Sequence, residues 1–436
     1  MKLLTKAPRG TIDILPDEIH KWHLVERAAL EVAQLFGYRE IRTPIFEHTE
    51  LFLRSVGDTS DVVQKEMYTF KDKGDRSITL RPEGTAGVVR ASIENGLTSG
   101  ALPLKACYIA NCFRYENPQA GRLREFRQFG VEVLGSEGPE SDVEVISLCY
   151  QLFHNLGIDN ITLEINSIGC PECRGQYHDE LKHFFEDRKS ELCPTCIGRM
   201  DKNPLRILDC KNKKCKAIAK DAPVMLDHLC DECSAHFDSV KSHLAAADIP
   251  YIIDPKIVRG LDYYTRTVFE FTTDQIGAQG TVCGGGRYNG LVGELGGQDI
   301  PGLGFAIGLN RLIMLMEASG SEFCNPRKCE LYIAPMGDAA KLKSTSITRQ
   351  LRDEGFHVET DLMNRSLRAQ MKYADKLGAL FTIVIGDNEL KNQEFEIKNM
   401  QSGEKTSCTF DMLMSTMYAM TTDLNIDEVI EAAEFL

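Results

Sequence analysis

Two ten-residue stretches, CYIANCFRYE at 107–116 and FRQFGVEVLG at 126–135, alternate in side-chain character and are separated by a loop containing Pro, Gly and Arg. Successive side chains of a strand point to opposite faces, so this pattern predicts a long antiparallel hairpin. One of its faces must find a core. Further strand-like runs are NITLEIN (160–166), VFEFTT (268–273) and GLGFAIG (302–308). Residues 17–36 instead repeat apolar positions at helical spacing, Ile19, Trp22, Val25, Ala29, Val32 and Phe36, before Gly37 as a stop. A strand, YREIRT, follows and ends at Pro44. Many antiparallel strands with flanking helices predict an α+β core.

At 436 residues the chain is long enough for two or three domains. Residues 170–249 are Cys-rich and charge-mixed and read as an insert into a discontinuous core, 1–169 and 250–320. From Leu331 the pattern becomes strand, helix, strand, helix, strand, which predicts a separate α/β domain over 329–436, reached through a Gly/Ser/Pro-containing link near 318–329. The N-terminus lacks the apolar run of a signal peptide, and no apolar stretch reaches membrane-spanning length, so a cytoplasmic location without membrane contact is expected. A net charge of −14 disfavours a general polyanion or DNA binder and leaves room for a local nucleic-acid site.

The hairpin carries groups that suit a nucleotide polyphosphate. Arg114 and Glu116 share a strand face, Arg122 and Arg124 occupy the loop, and Phe126, Gln128 and Glu132 share a face of the return strand. An arginine clamps phosphate oxygens and an aromatic ring offers a flat surface to a base; ordinary cross-strand ion pairs are the competing account. TLRPEGTAGVVRA leaves Glu83 and Thr85 at a helix start, either as a cap or as a carboxylate and hydroxyl facing an ammonium group. The Gly-rich runs CGGGRYNGL (283–291) and PGLGFAIGLNR (301–311) match no phosphate loop, but Arg287 and Arg311 beside small residues fit a nucleotide lying flat on a strand.

These segments, in this order, resemble the signature motifs of class II aminoacyl-tRNA synthetases, and specifically the histidyl-tRNA synthetase family. GYREIRTPIFEHTELF resembles motif 1, FRYENPQAGRLREFRQFGVEVLG motif 2 and PGLGFAIGLNRL motif 3, while RPEGTAG, RGLDYYTRTVFEF and CGGGRYNGL resemble histidine-specific elements. The resemblance implies a class II antiparallel-sheet catalytic core with a C-terminal anticodon-binding domain. It implies a homodimer built through motif 1, with ATP, Mg2+, L-histidine and tRNA(His) as reaction partners. Glu83, Thr85 and Gln128 would receive the α-amino end of histidine, and Glu132 and Tyr264 the imidazole, with Tyr263 supporting that wall and Asp262 structural. Arg114 would meet the α-phosphate, Phe126 the adenine ring, Glu116 the adenine amino group, and Arg122 and Arg311 the outer phosphates. Arg259 would sit where carboxylate and α-phosphate react. One departure stands out: Asn310 precedes Arg311 where the family usually has an acid. The alternative reading is a catalytically silent paralogue that senses histidine as a regulatory subunit; a zinc-ribbon nucleic-acid module would explain only the insert.

In the tail, Arg365, Arg368, Lys372 and Lys376 fall on one helical face, opposite Leu367, Met371 and Ala374, and the resemblance makes this basic stripe a candidate tRNA contact. Eight of the 15 cysteines form four close pairs in the insert, Cys170/Cys173, Cys193/Cys196, Cys210/Cys215 and Cys230/Cys233. This is the spacing of zinc knuckles, and two four-cysteine sites or a set of buried free thiols are both compatible with it. Between Arg206 and Lys220 six basic residues face one acid, Asp209, a run suited to an acceptor arm or to balancing thiolate charge.

Overall fold

The structure, a computed structural model, describes residues 4–422 apart from 58, 59, 61, 202, 209, 211, 258, 277–279, 322 and 324–327. Asp209 and Lys211 of the basic run, part of the 318–329 link and the end of the tail therefore lie outside the described residues. The chain divides into two compact units, 1–324 and 325–436.

In the first unit the alternating runs build an eight-stranded sheet. Across it the order is Arg39–Glu40, Leu104–Phe113, Glu125–Leu134, Gly302–Gly308, Thr281–Arg287, Thr265–Thr272, Thr162–Ser167 and Ile252–Ile253. The six inner strands are antiparallel, and the two short edge strands join in parallel. YREIRT pairs over only two residues, and Pro44, which cannot donate to a ladder, ends the extended run.

Register sorts the side chains onto two faces. Phe129 pairs with Ile109 and Ile307, and Val131 with Cys107 and Phe305, so one face is an apolar layer. Helices Ile19–Leu35, Pro139–Asn155 and Leu309–Ala318 cover it with Trp22, Val25, Val32, Ile146, Leu152 and Leu312. Each large apolar side chain buried there contributes about 1.5–3 kcal/mol. On the other face Gln128 lies between Ala110 and Gly308, Gly130 between Tyr108 and Ala306, and Glu132 between Ala106 and Gly304. Gly284 lies between Ala306 and Glu270. Small residues with a few polar ones leave space above this face. A three-stranded sheet, Phe46–His48, Ser77–Leu80 and Thr69–Lys71, leads into helix Thr85–Glu94 beside it.

The Cys-rich stretch opens with helix Pro171–Glu186, continues through the short helices Pro194–Arg199, Leu205–Leu208 and Lys213–Ile218, and closes with helix Asp231–Ala246. Its own cluster joins Tyr177, Leu181, Phe185, Met200 and Ile207 to the cysteines. The closing helix also gives Phe237, Val240 and Leu244 to the main core, so the stretch is rooted in the first unit.

The second unit has a five-stranded sheet in the order Val358–Thr360, Leu331–Pro335, Phe381–Ile385, Glu394–Asn399, Lys405–Thr409. The first three run parallel, with helices Asp338–Asp353 and Leu367–Lys376 between them in sequence, and the last two are antiparallel. No helix among the described residues is long and apolar enough to cross a membrane.

Candidate active site

A cavity of ≈ 900 Å³ opens over the small-residue face of the large sheet. At one end the hairpin supplies Arg114, whose Nε donates to the Pro82 carbonyl at 2.8 Å and whose guanidinium stands 5.5 Å from the centre of the Phe126 ring. The hairpin loop supplies Arg122, paired with Glu116 at 3.1 Å. Arg311 enters from the first turn of helix Leu309–Ala318 and lines the same cavity. Burial, and then the Arg122 cation, push the Arg311 pKa down. Cations gathered in a cleft that is partly shielded from water favour an anionic ligand that relieves their repulsion. Asn310 is also on the wall, its Oδ1 accepting the Arg127 backbone N–H at 3.0 Å.

The opposite end is lined by hydroxyls and carboxylates. Glu83 accepts the backbone N–H groups of Thr85 at 2.7 Å and Ala86 at 2.9 Å, so it caps the helix and stands on the cavity wall at once. Burial pushes its pKa up, against the pull of those two N–H groups. Gln128 reaches the wall with its Oε1 accepting the Cys112 thiol at 3.2 Å. Glu132 lies beneath the wall, 1% exposed, and accepts hydroxyls from Thr85 at 2.7 Å, from Tyr108 at 3.2 Å and from Tyr288. Burial pushes its carboxyl up to about 8.

The segment 259–264 closes the cavity. Arg259 pairs with Glu270, and Glu270 accepts the Thr281 hydroxyl at 2.6 Å, which fixes the guanidinium over Gly284. A Cβ at Gly284 would collide with that guanidinium, so the close approach requires glycine. Tyr264 lies 5.4 Å beneath Arg259, ring centre to guanidinium carbon, and Tyr263 packs against it at 4.7 Å between centres. The cavity thus gathers Glu83, Thr85, Arg114, Glu116, Arg122, Phe126, Gln128, Arg259, Tyr263, Tyr264 and Arg311. Sequence reasoning missed Glu270, Tyr108 and Tyr288. The signal for Glu270 was available, since it alternates with Phe269 and Phe271 and so must face away from the core.

Arg287 is a correction. Expected to face a nucleotide, it is fully buried on the helix side of the sheet, where its Nε donates to Asp142 at 2.9 Å and its Nη1 to the Ser136 carbonyl at 2.9 Å. Its parity explains this, because Arg287 pairs with Leu303 of the core face while Gly284, three residues earlier, pairs with Ala306 on the cavity wall. His236 also meets Asp142, at 3.2 Å.

In the second unit Arg368, Lys372 and Lys376 are exposed on helix Leu367–Lys376. Arg365 precedes that helix instead of joining its face; it pairs with Asp361 at 2.9 Å and covers the Tyr373 ring. In the first unit the cysteines gather as two nested sets, Cys170, Cys173, Cys230 and Cys233, and Cys193, Cys196, Cys210 and Cys215, with all sulfurs of a set within 4.8 Å of one another. Measured pairs are 3.5 Å (Cys170 to Cys173) and 3.9 Å (Cys193 to Cys210). Four thiolates about 2.3 Å from a tetrahedral ion stand about 3.8 Å apart, so both sets fit one. Backbone N–H groups of Cys230 and Cys193 donate to the sulfurs of Cys173 and Cys215 at 3.1 and 3.2 Å, the support that thiolate charge requires.

A family model described as histidyl-tRNA synthetase matches residues 10–312, well over half of the chain. The chain belongs to the histidyl-tRNA synthetase family. An anticodon-binding domain model matches residues 330–419. A histidine–tRNA ligase of Acetivibrio thermocellus is 54% identical, covering 95% of this chain and 100% of its own, and one of Clostridioides difficile is 51% identical over 95% and 99%. The apo histidyl-tRNA synthetase of S. aureus, 42% identical, superposes with a TM-score of 0.81 over 95% of this chain and 100% of its own. A Bacillus halodurans structure named as an ATP phosphoribosyltransferase regulatory subunit/histidyl-tRNA synthetase is only 21% identical, at a TM-score of 0.61 over 88% of this chain and 99% of its own, and shares the fold. Full-length kinship with histidyl-tRNA synthetases thus favours the ligase over the silent regulatory reading.

Proposed function

We propose that this protein activates L-histidine with ATP, forming histidyl-adenylate and pyrophosphate, and then transfers histidine to the 3′ end of tRNA(His). The observation that carries the reading is the convergence of Arg114, Arg259 and Arg311 with Phe126 on one cavity whose far end presents Glu83, Thr85, Gln128 and Tyr264. Phe126 stacks on adenine, Glu116 meets its amino group, Arg114 holds the α-phosphate, and Arg122 and Arg311 hold the outer phosphates. Glu83, Thr85 and Gln128 receive the ammonium end of histidine. Tyr264 meets the imidazole, and Glu132 serves that end as the acceptor that orders the surrounding hydroxyls.

In the first step a histidine carboxylate oxygen forms a bond to the α-phosphorus while the bond to pyrophosphate breaks. The nucleophile is already ionised, so no base is needed. The cost lies in bringing two anions together, and Arg259, held rigid by Glu270, stabilises that charge without having to reorganise. In the second step a terminal ribose hydroxyl attacks the histidyl carbonyl and AMP leaves. Glu116 and Asn310 are oxygen donors on that part of the wall and would hold Mg2+, which would supply charge neutralisation to the phosphates.

The finer partners follow the same reading. The exposed Arg368, Lys372 and Lys376 contact tRNA, with Arg365 shaping the helix start. A second copy of the chain covers the motif 1 stretch, where Ile45 and Phe46, and Leu53 just after it, are exposed apolar side chains. Each four-cysteine set holds a structural Zn2+. Charging of tRNA(His) transcript with labelled histidine and ATP tests the function; protein that forms adenylate but charges no tRNA would refute the transfer half.

A further inference from the structure

The segment that bears Arg259 and Tyr264 is gripped from outside by the Cys-rich stretch. Arg206 is 7% exposed, and its Nη2 donates to the Gly260 carbonyl at 2.6 Å and lies 3.5 Å from Asp262 Oδ1. Asn203 Nδ2 donates to the same Asp262 oxygen at 3.2 Å. Both residues lie in the short span between Cys196 and Cys210, two sulfur donors of one set. Arg199, on the same span, donates to the Arg206 carbonyl at 3.0 Å. At the other end of the segment Arg174, next in sequence to Cys173 of the second set, donates to the Tyr264 carbonyl at 3.1 Å. Cys193, Cys210, Arg199 and Arg206 themselves line the cavity.

This arrangement is more than a surface appendage requires. Among the described residues the helices that reach into the span from Cys196 to Cys210 are Pro194–Arg199 and Leu205–Leu208, which are too short to hold their shape alone. Their geometry therefore depends on what ties their ends, and the sulfur set ties both. On the inner side the Arg259–Glu270 pair, the backbone N–H of Asp262 on the Val56 carbonyl at 3.2 Å and the packing of Tyr263 on Tyr288 hold the segment, and the Cys-rich stretch grips it from the other side.

We propose that the metal-bound sulfur sets are a brace that holds the histidine-reading segment in its working position, with Arg206 as the positioning residue. This rests on the zinc reading of the two sets. The metal's part would be structural. It fixes the 196–210 span, Arg206 and Asn203 transmit that to Gly260 and Asp262, and Arg259 and Tyr264 are thereby aligned with histidine. The ATP end, built on the hairpin and on helix Leu309–Ala318, does not depend on the brace.

Histidine-dependent ATP–pyrophosphate exchange and elemental analysis, run on four proteins, test this. Arg206→Ala, which removes no sulfur, should keep the wild-type zinc content and the wild-type KM for ATP while kcat/KM for histidine falls about ten- to a hundredfold, the range for losing buried hydrogen bonds from a charged donor. Arg206→Lys should recover part of that loss by restoring one donor and the charge. Cys210→Ser should lose one zinc and show the same selective defect. Histidine kinetics of Arg206→Ala within twofold of wild type, or a KM for ATP that rises as much as the KM for histidine, would overturn the brace. Wild-type protein without zinc would instead refute the metal, and Arg206→Ala would still decide whether the stretch grips the segment.

Discussion

Arg259 and Glu132 make opposite demands on the same cavity. Arg259 is kept charged by Glu270 and lies over the face where the reacting groups meet. Arg259→Ala should lower histidine-dependent adenylate formation by about 10²–10³-fold, the usual scale for a preorganised donor at developing charge, while histidine affinity measured by calorimetry changes far less. Equal losses in both would remove its role in the reaction. Glu132 is raised to about 8 from its usual 4.5, so folding favours its neutral form. The unfolded chain releases that proton near 4.5, and the stability that Glu132 contributes below that pH is lost as pH rises toward about 8. The stability measured in thermal melts from about pH 5 to 8, between the unfolded and folded titrations, should therefore fall more steeply for wild type than for Glu132→Gln, and parallel curves would contradict it. Arg287, wrongly placed by the nucleotide reading, is now a stability residue. Arg287→Ala leaves buried Asp142 with His236 as its one remaining cationic neighbour among the described residues and should cost about 3–5 kcal/mol in denaturant titration.

At the scale of elements, the alternation of 107–116 and 126–135 was enough to place the hairpin, because a half-buried strand writes its two faces into every second residue. The same parity, applied consistently, separates Glu270 and Gly284 from Phe269 and Arg287. Helix Pro139–Asn155 escaped notice for a physical reason. Val143, Val145, Ile146, Leu148, Cys149, Leu152 and Phe153 are all buried and form a broad apolar face that covers more than half of the helix, opposite a narrower row of Glu144, Ser147, Gln151 and His154, so the apolar run is dense enough to blur the helical period. The four cysteine pairs were plain, but which pair joins which was not, since local spacing carries no information about a nested closure. Chain folding joins the outer pairs, 170/173 with 230/233, around the inner ones. Elemental analysis of protein purified without chelator should find two zinc ions per chain, one for each set; less than one would argue for free thiols.

At the scale of the whole molecule, the cavity is assembled from segments that are remote in sequence, Glu83 to Gln128 on one side and Arg259 to Arg311 on the other. No local pattern reports that Gly302–Gly308 will lie beside Glu125–Leu134, so the site was legible only as an ordered series of motifs whose resemblance supplied the assembly. The α/β pattern of the second unit was legible by itself, except that its last two strands, with one side-chain row mostly in solvent, gave little apolar signal. The central claim is that this cavity couples histidine to ATP. Histidine-dependent exchange of labelled pyrophosphate into ATP, with no tRNA present, tests it most directly. Exchange should require histidine and fail with other amino acids; folded protein that shows no exchange, or exchange indifferent to the amino acid supplied, would contradict the coupling.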